Sequence, residues 1–226
     1  MRIGIIAEGF ADIIVVKSVL RALIGIEMSE MQSIRPVEVF DETDLADLNF
    51  SNWQLVLESC KDENLISSFF DLLDGEALLV VHIDTAERGE VGYDIPEPQR
   101  TGHPDWKEYS SVLRDNVRQK LKQLIPERFR EKVAYAIAVE ETDAWLIPLF
   151  DNTQNRDTAS HVKAKETLKA TISGLKKNSK YIDTKHNNLD YANMSEEFRK
   201  ELKTARRRNE SLNLFCVEVS NLISKL

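Results

Sequence analysis

Ala77-Leu78-Leu79-Val80-Val81-His82-Ile83-Asp84 is the stretch that decides the fold. A nearly unbroken apolar run, entered from the Asp74-Gly75 turn, reads as a strand buried on both faces, and such strands belong to parallel sheets covered by helices. It ends on an acid. Two other apolar runs do the same: Ile3-Gly4-Ile5-Ile6-Ala7 stops at Glu8, and Val133-Ala134-Tyr135-Ala136-Ile137-Ala138-Val139 stops at Glu140, Glu141 and Asp143. In an open α/β sheet, ligands bind beyond the carboxyl ends of the strands, so carboxylates from separate strands can converge there. Converging hard oxygen ligands suit Mg²⁺ or Mn²⁺, ions that bind phosphate and lower the pKa of water.

The segments between these runs have helical periodicity. Asp12 to Ile24 places Ile13, Val16, Val19, Leu20 and Leu23 on one face. Trp53 to Leu73 reads as helix with a break near Lys61-Asp62-Glu63-Asn64, Asp105 to Ile125 as a helix stopped by Pro126, and Thr142 to Phe150 as a helix beginning under the last acidic cluster. A short second strand is expected over Pro36 to Phe40. Residues 84 to 104, with Gly89, Gly92, Pro96, Pro98, Gly102 and Pro104, read as a long loop of the kind that forms lids and binding loops. Strand and helix thus alternate, which predicts an α/β fold with a mainly parallel sheet. The composition turns basic and helical after Asp151-Asn152-Thr153-Gln154-Asn155. We therefore expect a metal-binding domain over residues 1–155 and a basic helical region over 156–226 packed on it.

With 42% apolar and 30% charged residues, the chain has the make-up of a soluble globular protein. No apolar run approaches the roughly 18 residues that span a bilayer, and the N-terminus enters a strand directly, so a cytoplasmic location without membrane contact is expected. Cys60 and Cys216 stand far apart, with no CxxC and no Cys/His cluster, which argues against a disulfide framework or a zinc site. The net charge of −8 excludes a generally basic nucleic-acid binder, yet residues 160–210 carry about +6 and residues 1–159 about −14. A basic surface beside an acidic one could hold a polyanion over a metal. Lys163, Lys165, Lys180, Lys185 and the run Arg206-Arg207-Arg208 are candidate phosphate contacts; the bland alternative is a solvated helix face. Neither GxxxxGK[ST] nor GxGxxG is present, so no phosphate loop of either type is expected.

Glu8-Gly9 between a strand and a helix, followed by an aspartate at the end of a later strand, resembles the Toprim domain shared by topoisomerases, bacterial primases and the overcoming-lysogenisation-defect nucleases. A narrower resemblance runs along nearly the whole chain. Glu141-Thr142-Asp143-Ala144-Trp145-Leu146 is similar to the Glu-Ala-Trp-Leu signature of small stand-alone Toprim proteins of the RloB-like type. Lys163 to Thr171, Tyr181 to Lys185 and Ser211-Leu212-Asn213-Leu214-Phe215 are similar to their Lys-rich helix, Tyr-x-x-x-Lys element and closing helix.

The resemblance implies a Toprim-like, Rossmann-like sheet and a Mg²⁺- or Mn²⁺-dependent endonuclease acting on DNA or RNA, tRNA included. It further implies an effector of bacterial anti-phage defence regulated by an ABC-type ATPase partner, with homo-oligomerisation open. Glu8 and Asp84 would be metal ligands, Glu8 also a base, and Glu140, Glu141 or Asp143 would complete the shell. Two departures stand out. Asp143 replaces the relatives' glutamate, one methylene shorter. Ala86 replaces the second aspartate of Asp-x-Asp: Glu87, Glu90 or Asp94 could substitute, the position could be inactivated, or the chain could be a catalytically silent module serving as a binding or assembly subunit. Trp145 and His82 read as core residues, and His103 as a loop residue nearer to substrate.

Overall fold

Strand and helix alternate along the described residues of the computed structural model, which are 1–37, 51–71, 75–98, 106–151, 158, 163–176, 178–183 and 188–226. β1 (Arg2–Ile6) leads into α1 (Phe10–Ile24) and β2 (Met31–Arg35); α2 (Trp53–Lys61) and α3 (Glu63–Asp71) precede β3 (Ala77–Asp84). α4 (Trp106–Leu124) returns the chain to β4 (Val133–Ala138), and α5 (Asp143–Phe150) follows. The C-terminal part contributes α6 (Ala164–Ser173), the small hairpin of β5 (Ile182–Asp183) and β6 (Asn188–Leu189), then α7 (Tyr191–Ser195), α8 (Phe198–Arg208) and α9 (Glu210–Ile223). The four long strands form one parallel sheet in the order β2-β1-β3-β4. From β1 the chain moves to one side for β2, then recrosses to the other for β3. A crevice opens between the carboxyl ends of strands at such a reversal.

The expected burial of β3 on both faces is what the sheet uses. Leu78 and Val80 join a core cluster with Ile3, Ile5 and residues of α1, α5, α6, α8 and α9; Leu79, Val81 and Ile83 join a second with Ile6 and residues of α2, α3 and α4. All five are fully buried, which contributes on the order of 10 kcal/mol before chain entropy offsets it. Ala134, Ala136 and Ala138 line the first face of β4, against which α9 packs. Gly4 permits a close approach: a Cβ there would sit 2.5 Å from Ile34 Cδ1 and 2.9 Å from the Phe69 ring.

Two elements differ from the sequence reading, the second strand and the segment after Asp84. The second strand is Met31–Arg35, not Pro36 to Phe40: Pro36 has no N–H to donate to a ladder, and residues 38–40 lie outside the described residues. The expected break near Lys61-Asp62-Glu63-Asn64 is present: two helices part at Asp62, whose side chain accepts from Leu65 N (3.0 Å) and so caps the second. The segment after Asp84 is tightly folded as far as Ile95. Thr85 N reaches Ala138 O (3.1 Å), Ile95 N reaches Arg88 O (2.7 Å), and Tyr93 is fully buried. Gly102, His103 and Pro104 lie outside the described residues. No helix among those described is long and apolar enough to cross a membrane.

Candidate metal centre

Glu8, Asp12, Asp84 and Asp143 come from four elements and meet at the crevice between β1 and β3. Glu8 follows β1, and its Oε1 accepts the backbone N–H of Asp84 at 2.6 Å. The backbone N–H of Trp53, at the start of α2, also faces it and favours its ionised form. Burial nevertheless pushes the Glu8 carboxyl up to about 8, with Asp12 and Glu87 adding repulsion. Asp12 lies in the first turn of α1, and Gly9 beneath it leaves room: a Cβ at position 9 would stand 3.3 Å from Asp12 Oδ2. Asp84 closes β3. Burial, then the charges of Asp12 and Glu8, hold its carboxyl well above the usual range, against the pull of a hydrogen bond from Thr142.

That hydrogen bond belongs to a relay. Thr142 Oγ1 donates to Asp84 Oδ1 at 2.8 Å, so its proton is committed and its lone pair faces His82 Nε2, also at 2.8 Å. With Asp84 ionised, the hydroxyl can only accept from the ring, and His82 then carries its proton on Nε2. Burial depresses the His82 pKa, which keeps the ring neutral, and its Nδ1 has no hydrogen-bond partner. The ring meets Trp145 edge-on at 6.1 Å between centroids. His82 is thus a buried histidine that fixes the orientation of a strand-end aspartate.

The turn from β4 into α5 sends its three acids in different directions. Glu140 adopts φ +64°, a left-handed conformation that costs a non-glycine residue about 1–2 kcal/mol. It is held there by Thr85 Oγ1, which accepts from Glu140 N (2.8 Å), and by Glu140 O, which accepts from Ala86 N (3.0 Å). Its carboxylate pairs with Arg88 at 3.1 Å, and Arg88 also binds Glu97. Glu141 accepts from Lys165 N (3.0 Å) and so caps the start of α6. Only Asp143 turns toward the crevice: burial pushes it up to about 6 despite a hydrogen bond from Tyr191 Oη (2.9 Å), with the charge of Glu141 adding to the rise, that of Lys165 opposing it and that of Asp12 adding again.

The sequence-predicted ligands therefore separate. Glu8, Asp84 and Asp143 are brought together; Glu140 and Glu141 are engaged elsewhere. Ala86 sits exposed in the turn after β3, and of Glu87, Glu90 and Asp94 it is Glu87 whose charge acts on Glu8. Sequence reasoning did not single out Asp12, four residues after Glu8, nor the connection of His82 to Asp84. Among the described residues, Asp12, His82 and Asp84 form one grouping whose ligand atoms all lie within 4.8 Å of one another. Two ligands on one Mg²⁺ stand at most about 4.2 Å apart, so small side-chain rotations suffice. Since His82 Nε2 is bonded to Thr142, the two aspartates are the better ligands, and a carboxylate set suits Mg²⁺ or Mn²⁺.

The basic candidates also divide. Lys163 and Lys165 are exposed at the start of α6, while Lys180 pairs with Glu197 at 2.7 Å. Lys185 lies outside the described residues. Arg208 is buried, bonded to Pro148 O and Asp151 O and paired with the Asp151 carboxylate at 3.1 Å, so it belongs to the core and not to a phosphate surface. Compared with known proteins, the chain matches no family model, no curated protein and no solved structure.

Proposed function

We propose that this protein is a divalent-metal-dependent phosphodiesterase of the Toprim type that cleaves DNA or RNA. One observation carries the reading: Asp12 and Asp84 offer ligand atoms within 4.8 Å of each other at the sheet's reversal point, the charges of Glu8 and Asp143 act on Asp84 there, and among the described residues no ion pair joins these acids to a lysine or arginine. Two carboxylates about 4 Å apart repel by roughly 4 kcal/mol in a partly buried setting, a cost that a bound cation turns into attraction. Asp12 and Asp84 would hold Mg²⁺ or Mn²⁺, with Asp143 completing the set. Bound there, the ion supplies charge neutralisation at a phosphodiester and acidifies water.

The remaining residues position or exchange protons. Glu8 is fixed by the backbone N–H of Asp84, and a carboxyl poised near 8 is matched to taking a proton from an attacking water. The His82–Thr142 relay keeps Asp84 in one orientation. The resemblance in sequence extends the proposal to an anti-phage effector controlled by an ABC-type ATPase, since the chain has no phosphate loop of its own. The second reading is a catalytically silent module. It is favoured by Ala86, which has no ligand atom where the resemblance places an aspartate.

Cleavage of plasmid DNA and total tRNA with Mn²⁺, Mg²⁺ or EDTA tests both readings, using the wild type, Ala86→Asp and Asp84→Ala. The nuclease reading expects metal-dependent cleavage that Ala86→Asp increases and Asp84→Ala abolishes. Mn²⁺ binding without cleavage by either the wild type or Ala86→Asp selects the silent module. Absence of both binding and cleavage refutes the metal centre.

A further inference from the structure

A groove of about 600 Å³ lies between the first turn of α4 and the α8–α9 corner, lined by Lys107, Lys203, Arg206, Arg207, Glu210 and Asn213. Its position follows from the anchors of that corner. Asn209 Nδ2 donates to Ala144 O (3.1 Å) and Trp145 Nε1 donates to Ser211 Oγ (2.8 Å), so the corner is fastened to α5 beside Asp143. α4 runs back toward the amino end of β4, which puts its first turn at the carboxyl edge of the sheet as well. Groove and acidic crevice thus open on the same edge, the groove beyond β4 and the crevice between β1 and β3.

The cations of α8 are of two kinds. Away from the groove, Arg199 pairs with Glu196, Lys200 with Glu197, and buried Arg208 with Asp151. Lys203, Arg206 and Arg207, which line it, bond to no described carboxylate. Arg206 is held in place instead: its Nε and Nη2 both donate to Asn213 Oδ1 at 3.2 Å, which leaves the Nη1 hydrogens for a ligand. Lys203 and Arg207 stand one helical turn apart, both exposed. The carboxylate among the described lining residues is Glu210, in the first turn of α9, where it complements the helix dipole. In a chain of net charge −8, neighbouring cations that pair with no described carboxylate are a local arrangement and not a by-product of overall basicity.

We propose that this groove binds the phosphodiester backbone of a nucleic acid and feeds the strand along the sheet edge to the acidic crevice. The proposal rests on the nuclease reading and adds to it the path of the substrate. The described lining residues are charged or amide side chains, which suit contacts to phosphate and sugar, and such contacts do not depend on sequence. The lysines that begin α6 take a secondary part.

Fluorescence anisotropy of labelled single-stranded DNA, duplex DNA and tRNA tests this with the full-length protein, in EDTA and across a salt series. Charge reversal at Lys203→Glu with Arg207→Glu should weaken binding at least about tenfold and make the slope of log affinity against log salt shallower by about 1.5 to 2. Lys163→Glu with Lys165→Glu should do less. Lys203→Gln with Arg207→Gln serves as a milder pair if the reversal disturbs folding. Unchanged affinity in the groove variants, no binding to any of the three nucleic acids, or displacement by polyglutamate as effective as by nucleic acid overturns the proposal. EDTA separates binding from hydrolysis. Groove-dependent binding by a protein that never cleaves with Mn²⁺ refutes the nuclease reading alone, whereas cleavage at unchanged KM in the groove variants refutes the groove alone.

Discussion

Glu8→Gln should make the metal-free protein more stable at pH 8 and lessen the stabilisation that Mn²⁺ confers, because the ion then relieves one carboxylate charge fewer. Burial moves this carboxyl from its ordinary 4.5 to about 8, so the folded protein keeps a proton there that the unfolded chain gives up. Between those two values the folded state binds more protons. Its stability is therefore greatest below pH 4.5, falls as pH rises through the interval, and levels off above 8. The full displacement corresponds to about 5 kcal/mol. Asp12 and Asp84 share the same repulsion, and protonating one acid relieves the others, so a single substitution should recover about half, ~2.5 kcal/mol. For a chain of this size that is about 5–10 °C in melting temperature. Glutamine keeps an oxygen to accept the Asp84 N–H, so the geometry of the strand ends is preserved. Melting curves at pH 5 to 9, in EDTA and in Mn²⁺, give the comparison. A lower melting temperature for the variant at pH 8 in EDTA would refute the reasoning. So would a wild-type curve flat between pH 5 and 8, or equal Mn²⁺ shifts in the two proteins.

Thr142→Val keeps the shape of the side chain but removes the hydroxyl between His82 and Asp84, leaving both ring nitrogens of a buried histidine without a partner; calorimetry should show a loss of about 1–3 kcal/mol, and Mn²⁺ titration a weaker site. Retention of both stability and affinity would show that the relay does not orient Asp84. Arg208→Met removes a buried guanidinium that bonds two carbonyls and pairs with the partly buried Asp151 carboxylate, so it should cost about 3–5 kcal/mol by denaturant unfolding; a surface-like cost below about 0.5 kcal/mol would contradict its place in the core.

How much of this was legible depends on how local each signal is. β3 announces itself because burial on both faces removes the need for alternation, and the meeting of Glu8 with Asp84 follows from two parallel strands ending side by side. β2 does not, because it is an edge strand whose residues after Met31 are only partly buried or exposed, so no apolar run marks it. Asp12 could have been found from its offset of one helical turn after Glu8, given the start of α1. The tie from His82 to Asp84 passes through Thr142, sixty residues away in sequence, and no local pattern encodes it. Glu140, Glu141 and Asp143 look like one cluster in the sequence, but a left-handed residue at the head of the turn points each at a different partner.

The run Arg206-Arg207-Arg208 makes the same point for the basic side. Successive residues of a helix are turned by about 100°, so three adjacent arginines cannot form one patch. Arg208 faces inward and ties α8 to the end of α5, Arg207 faces solvent, and Arg206 lies between, braced by Asn213. The partner of Arg207 in a charged surface is therefore Lys203, one turn back and separated from it by three residues. The pairing that builds the groove is set by helical spacing, whereas the adjacency that the eye picks out in the sequence divides a core residue from a binding surface.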